Sequence, residues 1–429
     1  MKKSLFVCLL YITVAALIFA GAGQEATGAA GGPRTVASRA DAPKGESITP
    51  KDFPKSLLPG IDQVGAVPIK KYKIAFSNGD MGNVWRRTFW EDMDAYSQEY
   101  KQRFGIDFIV ANAGNNTTKQ LQDVQSLLAQ KPDILILSPN EAGPLNVVVE
   151  LCEKAGVPLM TIDRGLDEPP GMGKYITAIQ IDGYRSGIAN GAALVEALTK
   201  KYGSPKGLVA EIPGILGSSP AITLSQGIRR VLRDYPDIKI VTVRPGEYDR
   251  EKSFKAAQDI LTVNKKGQLD AILCASEDAA MAALEAIKSA GRDELLGWIF
   301  SVDTTIEVLE EIEKGEIAQA SEEPPYFGMI AFEYAIQYLN GKDVPAIVPL
   351  PQRSFFLGGA DRLAKLKETI AAGKKADMLF APASTGGFDI FAISPEMLAK
   401  FYPKPYWEQP ASYLEEIKPY TEWPDYLKK

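Results

Sequence analysis

Short apolar runs recur along the chain from Lys73 onward: Lys73 to Phe76, Asp107 to Val110, Asp133 to Leu137, Val157 to Ile162, Ile176 to Ile181, Gly207 to Ile212, Ile238 to Val243, Asp270 to Ala275 and Trp298 to Val302. A further short run, Ile317 to Ala320, follows them. Most starts lie about 25 to 35 residues apart, the spacing of strand-helix-strand units. The intervals carry apolar stripes at helical spacing, such as Leu121, Val124, Leu127 and Leu128, or Phe254, Ala257, Ile260 and Leu261. Near-continuous apolar strands alternating with amphipathic helices predict parallel sheets covered on both faces. A Lys-Lys-Tyr-Gly-Ser-Pro stretch at 200 to 205 divides the series into two similar halves, so the expected fold class is α/β with two doubly wound, Rossmann-like lobes.

Upstream of this region the pattern changes. Lys2 and Lys3 precede an apolar run from Leu5 to Phe19 that ends in Ala20-Gly21-Ala22, which predicts a cleaved secretory signal over 1–22 and a periplasmic protein. Residues 23–67 are rich in Gly, Ala, Ser and Pro and predict a flexible leader. At the other end, 391–429 form a Pro- and aromatic-rich extension, including Trp407 and Trp423, expected to strap across a lobe.

Composition then removes whole classes of chemistry. The chain of 429 residues contains no histidine, so imidazole metal sites, Ser-His-Asp and Cys-His catalysis are excluded. A net charge of −6 without a basic run argues against nucleic acid as a partner. Beyond the signal the chain keeps two cysteines. Cys152 closes the helical stripe Leu145, Val148, Val149, and Cys274 ends a strand-like run, so both read as unpaired core thiols.

Open α/β sheets bind ligands beyond the carboxyl ends of their strands. The residues at those positions are polar or aromatic: Asn78 through Arg86, Ser138-Pro139-Asn140 and Asp163-Arg164 in the first half. In the second half they are Tyr248-Asp249-Arg250, Ser276-Glu277-Asp278, Asp303 and Glu322. Each also has a plainer reading. Trp85 opens the stripe Phe89, Met93, Tyr96, Tyr100 and would suit a helix core. Asp163 and Arg164 would suit a structural ion pair. Ser276 and Asp303 would suit caps on the helices that follow them, and Asn115-Asn116-Thr117 a turn and cap.

The segment Ala155 to Arg164, the opening Phe76-Ser77-Asn78-Gly79 with Trp85-Arg86, the pair Asn115-Asn116 and Leu137-Ser138-Pro139 together carry a resemblance. Over roughly residues 70 to 355 the chain resembles the sugar-binding family of periplasmic substrate-binding proteins, the ribose and galactose binders of ABC importers, which have the type I periplasmic binding protein fold. The resemblance implies lobe one over 68–182 with 323–351, lobe two over 183–322 with 352–390, and a three-stranded hinge crossed near 182–185, 322–324 and 350–353. It implies binding positions at Asn83, Trp85, Arg86, Ser138, Asp163 and Arg164 in lobe one, Tyr248, Ser276 and Asp303 in lobe two, and Glu322 at the crossover. Two positions depart from the family pattern: Ile222 stands where an Arg is usual, five residues before Gly227, and Glu322 where an amide is common.

A sugar offers an apolar C–H face and a rim of hydroxyls that both donate and accept. Trp85 and Tyr248 would cover the face. Asp163 and Asp303 would accept from hydroxyls, and the planar forks of Arg86 and Arg164 would donate to them. The acids Asp163, Asp303 and Glu322 set against the two arginines leave one negative charge, which suits a neutral sugar or polyol. The expected function is an exported receptor, a monomer without cofactor, metal or catalysis, that delivers a monosaccharide or polyol to ABC permease subunits. The rivals are a sugar sensor serving a membrane kinase or chemoreceptor, and a glycoside-acting enzyme using Asp163 and Asp303 as its carboxylates. No phosphate loop of the Gly-x-x-x-x-Gly-Lys type is present, as expected if the ATPase is a separate polypeptide.

Overall fold

The computed structural model describes residues 71–350, 354–356 and 400–401. The expected signal and leader, most of 352–390 and nearly all of 391–429 lie outside the described residues. The elements in chain order are β1 (Lys73–Asn78), α1 (Val84–Phe104), β2 (Asp107–Asn112), α2 (Thr117–Ala129), β3 (Ile134–Ser138), α3 (Ala142–Leu145), α4 (Val147–Ala155), β4 (Leu159–Asp163) and β5 (Tyr175–Gln180). They continue with α5 (Gly183–Tyr202), β6 (Gly207–Ile212), α6 (Ser219–Leu232), β7 (Ile238–Val243), α7 (Arg250–Val263), β8 (Ala271–Cys274), α8 (Glu277–Ser289), β9 (Ile299–Val302), α9 (Ile306–Glu313), β10 (Gln319–Ser321), α10 (Gly328–Leu339), β11 (Ile347–Pro349) and β12 (Ser354–Phe356).

These form two sheets of six strands, in the orders β11-β5-β4-β3-β1-β2 and β12-β10-β9-β8-β6-β7. The first is parallel throughout, and in the second only β12 runs antiparallel, to β10. The two orders superimpose position for position, the doubly wound repeat that the spacing predicts. The central strands β3 and β4 are buried along their whole length, which explains their mostly apolar sequences. The edge strands β2 and β7 are partly exposed and break the pattern with polar residues. Apolar clusters cover both faces of each sheet. Cys152 and Cys274 are buried free thiols within them, and burial pushes the Cys152 thiol up to about 12.

The break at 200–205 is the turn from α5 to β6, but the chain has already passed to the second sheet's helical layer at 180–183. There α5 packs on α6, with Gly187 against Gly227. A methyl on Gly187 would overlap the Leu224 carbonyl oxygen, and one on Gly227 that of Tyr184, so only glycine allows this crossing. The contact fixes the first turns of both helices beside the crossover. Of the final segment, Phe401 is buried against the second lobe, with the Arg230 guanidinium 5.0 Å from its ring centre, and Lys400 pairs with Asp234 at 2.7 Å.

Candidate functional site

Both sheets reverse strand order beside their first strand, β1 in one and β6 in the other, and the carboxyl ends at these switch points face a common crevice. Side-chain caps hold the helices that start there. Asn83 accepts from Arg86 N at 2.7 Å, Asn116 from Lys119 N at 2.9 Å, Asp249 from Lys252 N at 2.8 Å and Ser276 from Ala279 N at 3.2 Å. The capping role expected of Asp303 falls instead to Thr305, whose hydroxyl accepts from Val308 N. Asp303 is left at the end of β9 with φ 62°, and Asp163 at the end of β4 with φ 65°; Tyr248 has φ 60°. Non-glycine residues seldom adopt this left-handed conformation, and it turns each side chain out of its strand or loop toward the crevice.

A cavity of about 40 Å³ lies between the lobes, lined by Asn83, Trp85, Arg86, Asp163, Arg164, Pro220, Tyr248, Asp303 and Glu323. Seven of the ten expected positions line it. Ser138 sits one step behind, accepting from Arg86 Nη1 at 3.0 Å and donating to Asp163 Oδ2 at 3.3 Å. Ser276 caps α8 and does not line the cavity. At the crossover the wall is Glu323 rather than its neighbour Glu322, which is buried elsewhere. Adjacent residues in extended chain face opposite ways, so the two carboxylates have different surroundings.

The lobe-one wall is an ion-paired network in which Arg164 Nε has no hydrogen-bond partner. Arg86 Nη2 reaches Asp163 Oδ2 at 2.7 Å, and Arg164 Nε stands 3.6 Å from the same oxygen. Arg164 also donates to Asn140 O at 3.1 Å, and its guanidinium lies 5.5 Å from the Tyr248 ring centre, across the lobe boundary. Burial and the neighbouring Arg86 lower Arg164 to about 10, so it remains a cation at neutral pH. Trp85 is both core and wall: it stacks on Phe89 at 5.5 Å while Nε1 donates to Glu323 O at 2.7 Å. Asn83 Nδ2 donates across the boundary to Tyr248 O at 3.0 Å.

The facing wall, Asp303 of lobe two with Glu323 at the crossover, is acidic. Asp303 adjoins Glu277, and its Oδ1 faces no hydrogen-bond donor. Burial, then repulsion from Glu277 and Glu323, holds Asp303 well above the usual carboxylate range. Burial likewise raises Glu277 to about 7 and Glu323 to about 8. At neutral pH this wall therefore holds protons as well as lone pairs. It can accept from or donate to a hydroxyl, and it repels an anion. Sequence reasoning placed Glu277 among the strand-end residues but gave it no role. The signal that could have marked it is an acidic residue directly after the Ser276 cap, where the first turn faces the crevice. Among the described residues no group of His, Cys, Asp or Glu is placed to hold a metal ion.

Comparison with known proteins agrees with this geometry. The model of the periplasmic binding protein domain matches residues 74–343. The ribose import binding protein RbsB of Bacillus subtilis is 27% identical over 283 residues, covering 66% of this chain and 86% of that protein. The galactofuranose-binding protein YtfQ of Escherichia coli is 25% identical over 289 residues, covering 66% and 87%. Among solved structures, the periplasmic binding component of the arabinose ABC transporter of Shewanella sp. ANA-3, bound to α- and β-L-arabinofuranose, matches with a TM-score of 0.61 and 28% identity, over 70% of this chain and 97% of that one. Two lobes of identical strand order, an enclosed polar crevice at their switch points and this match across most of the described residues lead to one assignment: the chain belongs to the periplasmic binding protein family.

Proposed function

We propose that this protein is an exported receptor that captures a neutral monosaccharide or related polyol between its lobes and delivers it to the membrane subunits of an ABC importer. The observation that carries the reading is the opposition of two walls across one cavity. The charged network of Arg86, Asp163 and Arg164 faces the acids Asp303 and Glu323, with the Trp85 and Tyr248 rings beside them. Hydroxyls that donate to one wall and accept from the other satisfy both, and the rings exclude water from the C–H face. The named relatives include binders of ribose, galactofuranose and arabinofuranose, which supports a five- or six-carbon sugar.

On this reading Asn83, Trp85, Arg86, Asp163, Arg164, Tyr248, Asp303 and Glu323 touch the ligand, and Ser138 positions Arg86 and Asp163. Lobe one comprises 68–182 with 323–351 and lobe two 183–322 with 352–390, and 391–429 extends beyond them. Residues 1–22 direct export. The lobes open and close about their three crossovers, and ligand stabilises the closed form because only that form offers both walls. Binding then leaves the sugar chemically unchanged.

The test is a thermal-shift panel of pentoses, hexoses, deoxy sugars and polyols. Ligand at about a hundredfold over its dissociation constant should add about 2.7 kcal/mol of stability. A panel without any shift sinks the proposal, as does recovery of a cleaved or altered sugar. Loss of uptake on deleting the receptor assigns it to transport, whereas loss of a transcriptional response with uptake intact would assign it to sensing.

A further inference from the structure

At the end of lobe two remote from the crevice, where β6 and β7 begin, lies an open groove of about 360 Å³ lined by Tyr202, Lys206, Leu208, Asp237, Lys239 and Asp270. One carboxylate fixes its floor. Asp270 accepts from Leu208 N at 2.9 Å and from Lys201 Nζ at 2.9 Å, and the Tyr202 hydroxyl donates to it as well. The Trp298 ring, with its centre 4.4 Å from Lys201 Nζ, holds that lysine from another side. These contacts satisfy Asp270 and Lys201 and leave the Tyr202 ring 41% exposed at the surface. Lys206 and Lys239 flank the ring and Leu208, and among the described residues no carboxylate stands within ion-pair distance of either.

The last described residues of the chain lie beside this groove. Phe401 is buried against lobe two with its ring centre 6.4 Å from that of Tyr235, and Lys400 Nζ reaches Asp234 Oδ2 at 2.7 Å. Tyr235 and Asp237 belong to one tight turn into β7, closed by Ile238 N donating to Tyr235 O at 2.9 Å. Position 401 is thus at the Asp237 rim of the groove. Residues 402–410, which follow, read Tyr-Pro-Lys-Pro-Tyr-Trp-Glu-Gln-Pro. By contrast, the 23–67 leader joins the chain at β1 of the other lobe and carries a single aromatic residue, Phe53.

We infer that the groove is the docking site for residues 402–410 of this same chain. Pro403, Pro405 and Pro410 favour extended polyproline geometry, which advances about 3.1 Å per residue and needs no ladder partner. Leading away from Phe401, Lys404 comes level with Asp237, the Tyr406 and Trp407 rings cover Tyr202 and Leu208, and Glu408 meets Lys206 and Lys239. The charge order along the segment, basic then acidic, complements the order met in the groove, where Asp237 precedes Lys239 in the chain. Aromatic side chains seated on an exposed ring and flanked by ion pairs are the anchors that hold such segments. Because the groove lies at the strand starts and the crevice at the strand ends, docking stands independently of what the crevice binds.

Limited chymotrypsin digestion of the full chain tests it, with each rate of cleavage after Trp407 taken relative to that of a free peptide of the same sequence. Docking shields this bond, so Lys206→Glu combined with Lys239→Glu should speed cleavage about tenfold or more. Both lysines are exposed, so the circular dichroism spectrum should not change. Adding Glu408→Lys to that double variant restores the ion pairs with opposite sign and should return the rate to within about threefold of the parent. Zero-length carbodiimide coupling of an equal mixture of ordinary and isotope-labelled chains should join Glu408 to Lys206 or Lys239 within one chain. The inference is overturned if charge reversal leaves cleavage after Trp407 unchanged, if the swapped charges fail to restore protection, if Glu408 couples to neither lysine, or if the two lysines couple instead to the 23–67 leader or to a second copy.

Discussion

The two lobes repeat one topology and place one aspartate each at the same point, Asp163 after β4 and Asp303 after β9, both in left-handed backbone. Their surroundings differ. Asp163 is enclosed by Arg86, Ser138 and Arg164, so its charge is fully met within lobe one. Asp303 faces Glu277 and Glu323, and one of its oxygens has no donor. A repeated fold has thus produced one wall whose aspartate is ion-paired and one whose aspartate is crowded by other acids. The ion-paired wall fixes the orientation of an incoming sugar, and its Arg164 Nε has no hydrogen-bond partner of its own. Asp303 Oδ1 on the other wall is likewise unpartnered, so a ligand that bridges the crevice adds hydrogen bonds on both sides, which is the differential contact that favours closure.

The comparison breaks most readily at Asp163. Asp163→Ala leaves two buried guanidinium groups without their counter-charge and should cost about 3 to 5 kcal/mol, seen as a large fall in the midpoint of thermal unfolding together with loss of sugar binding. Arg164→Ala removes a donor from the same wall. It should abolish the ligand-induced stabilisation of about 2.7 kcal/mol while the ligand-free protein still unfolds cooperatively.

On the opposite wall the sign reverses. Asp303→Asn replaces a crowded acid with a neutral amide of the same shape. The ligand-free protein should become no less stable, whereas sugar affinity should fall about tenfold, or about 1.4 kcal/mol, because the amide fixes one donor and one acceptor where the carboxyl group can offer either from each oxygen. Calorimetry and melting of the same variant check both halves. The raised acids also predict a pH dependence. Glu323 keeps its proton up to about 8 in the folded protein but loses it near 4.5 when unfolded, so between these values the native state binds more protons and stability should fall as pH rises. Glu323→Gln should flatten that slope in a melting series from pH 4.5 to 8. The smallest effect is expected at Ser276, where Ser276→Ala removes a helix cap outside the cavity. It should cost about 1 kcal/mol of stability and leave ligand affinity unchanged.

Much of the candidate site was legible because its residues follow strand ends. Asn83, Arg86, Asp163, Arg164, Tyr248 and Asp303 all lie just beyond an apolar run, where an open α/β sheet must present its ligand-facing groups. Trp85 was ambiguous between core and site, and both roles hold, since a residue in the first turn of α1 can stack inward on Phe89 and still border the crevice. Glu322 and Glu323 were not separable, because composition is identical at the two positions and only the direction of the chain as it leaves β10 decides which carboxylate faces the cavity.

Periodicity alone determined that this protein has two parallel, doubly wound sheets, since apolar runs at regular spacing can bury their surface in few other ways. The absence of histidine alone removed imidazole chemistry. Tertiary structure decided which acid meets an arginine and which meets another acid, and where α5 leaves one lobe for the other. Burial and opposition across a crevice depend on distances between segments far apart in the chain, and local pattern carries no information about those distances until the lobes have packed.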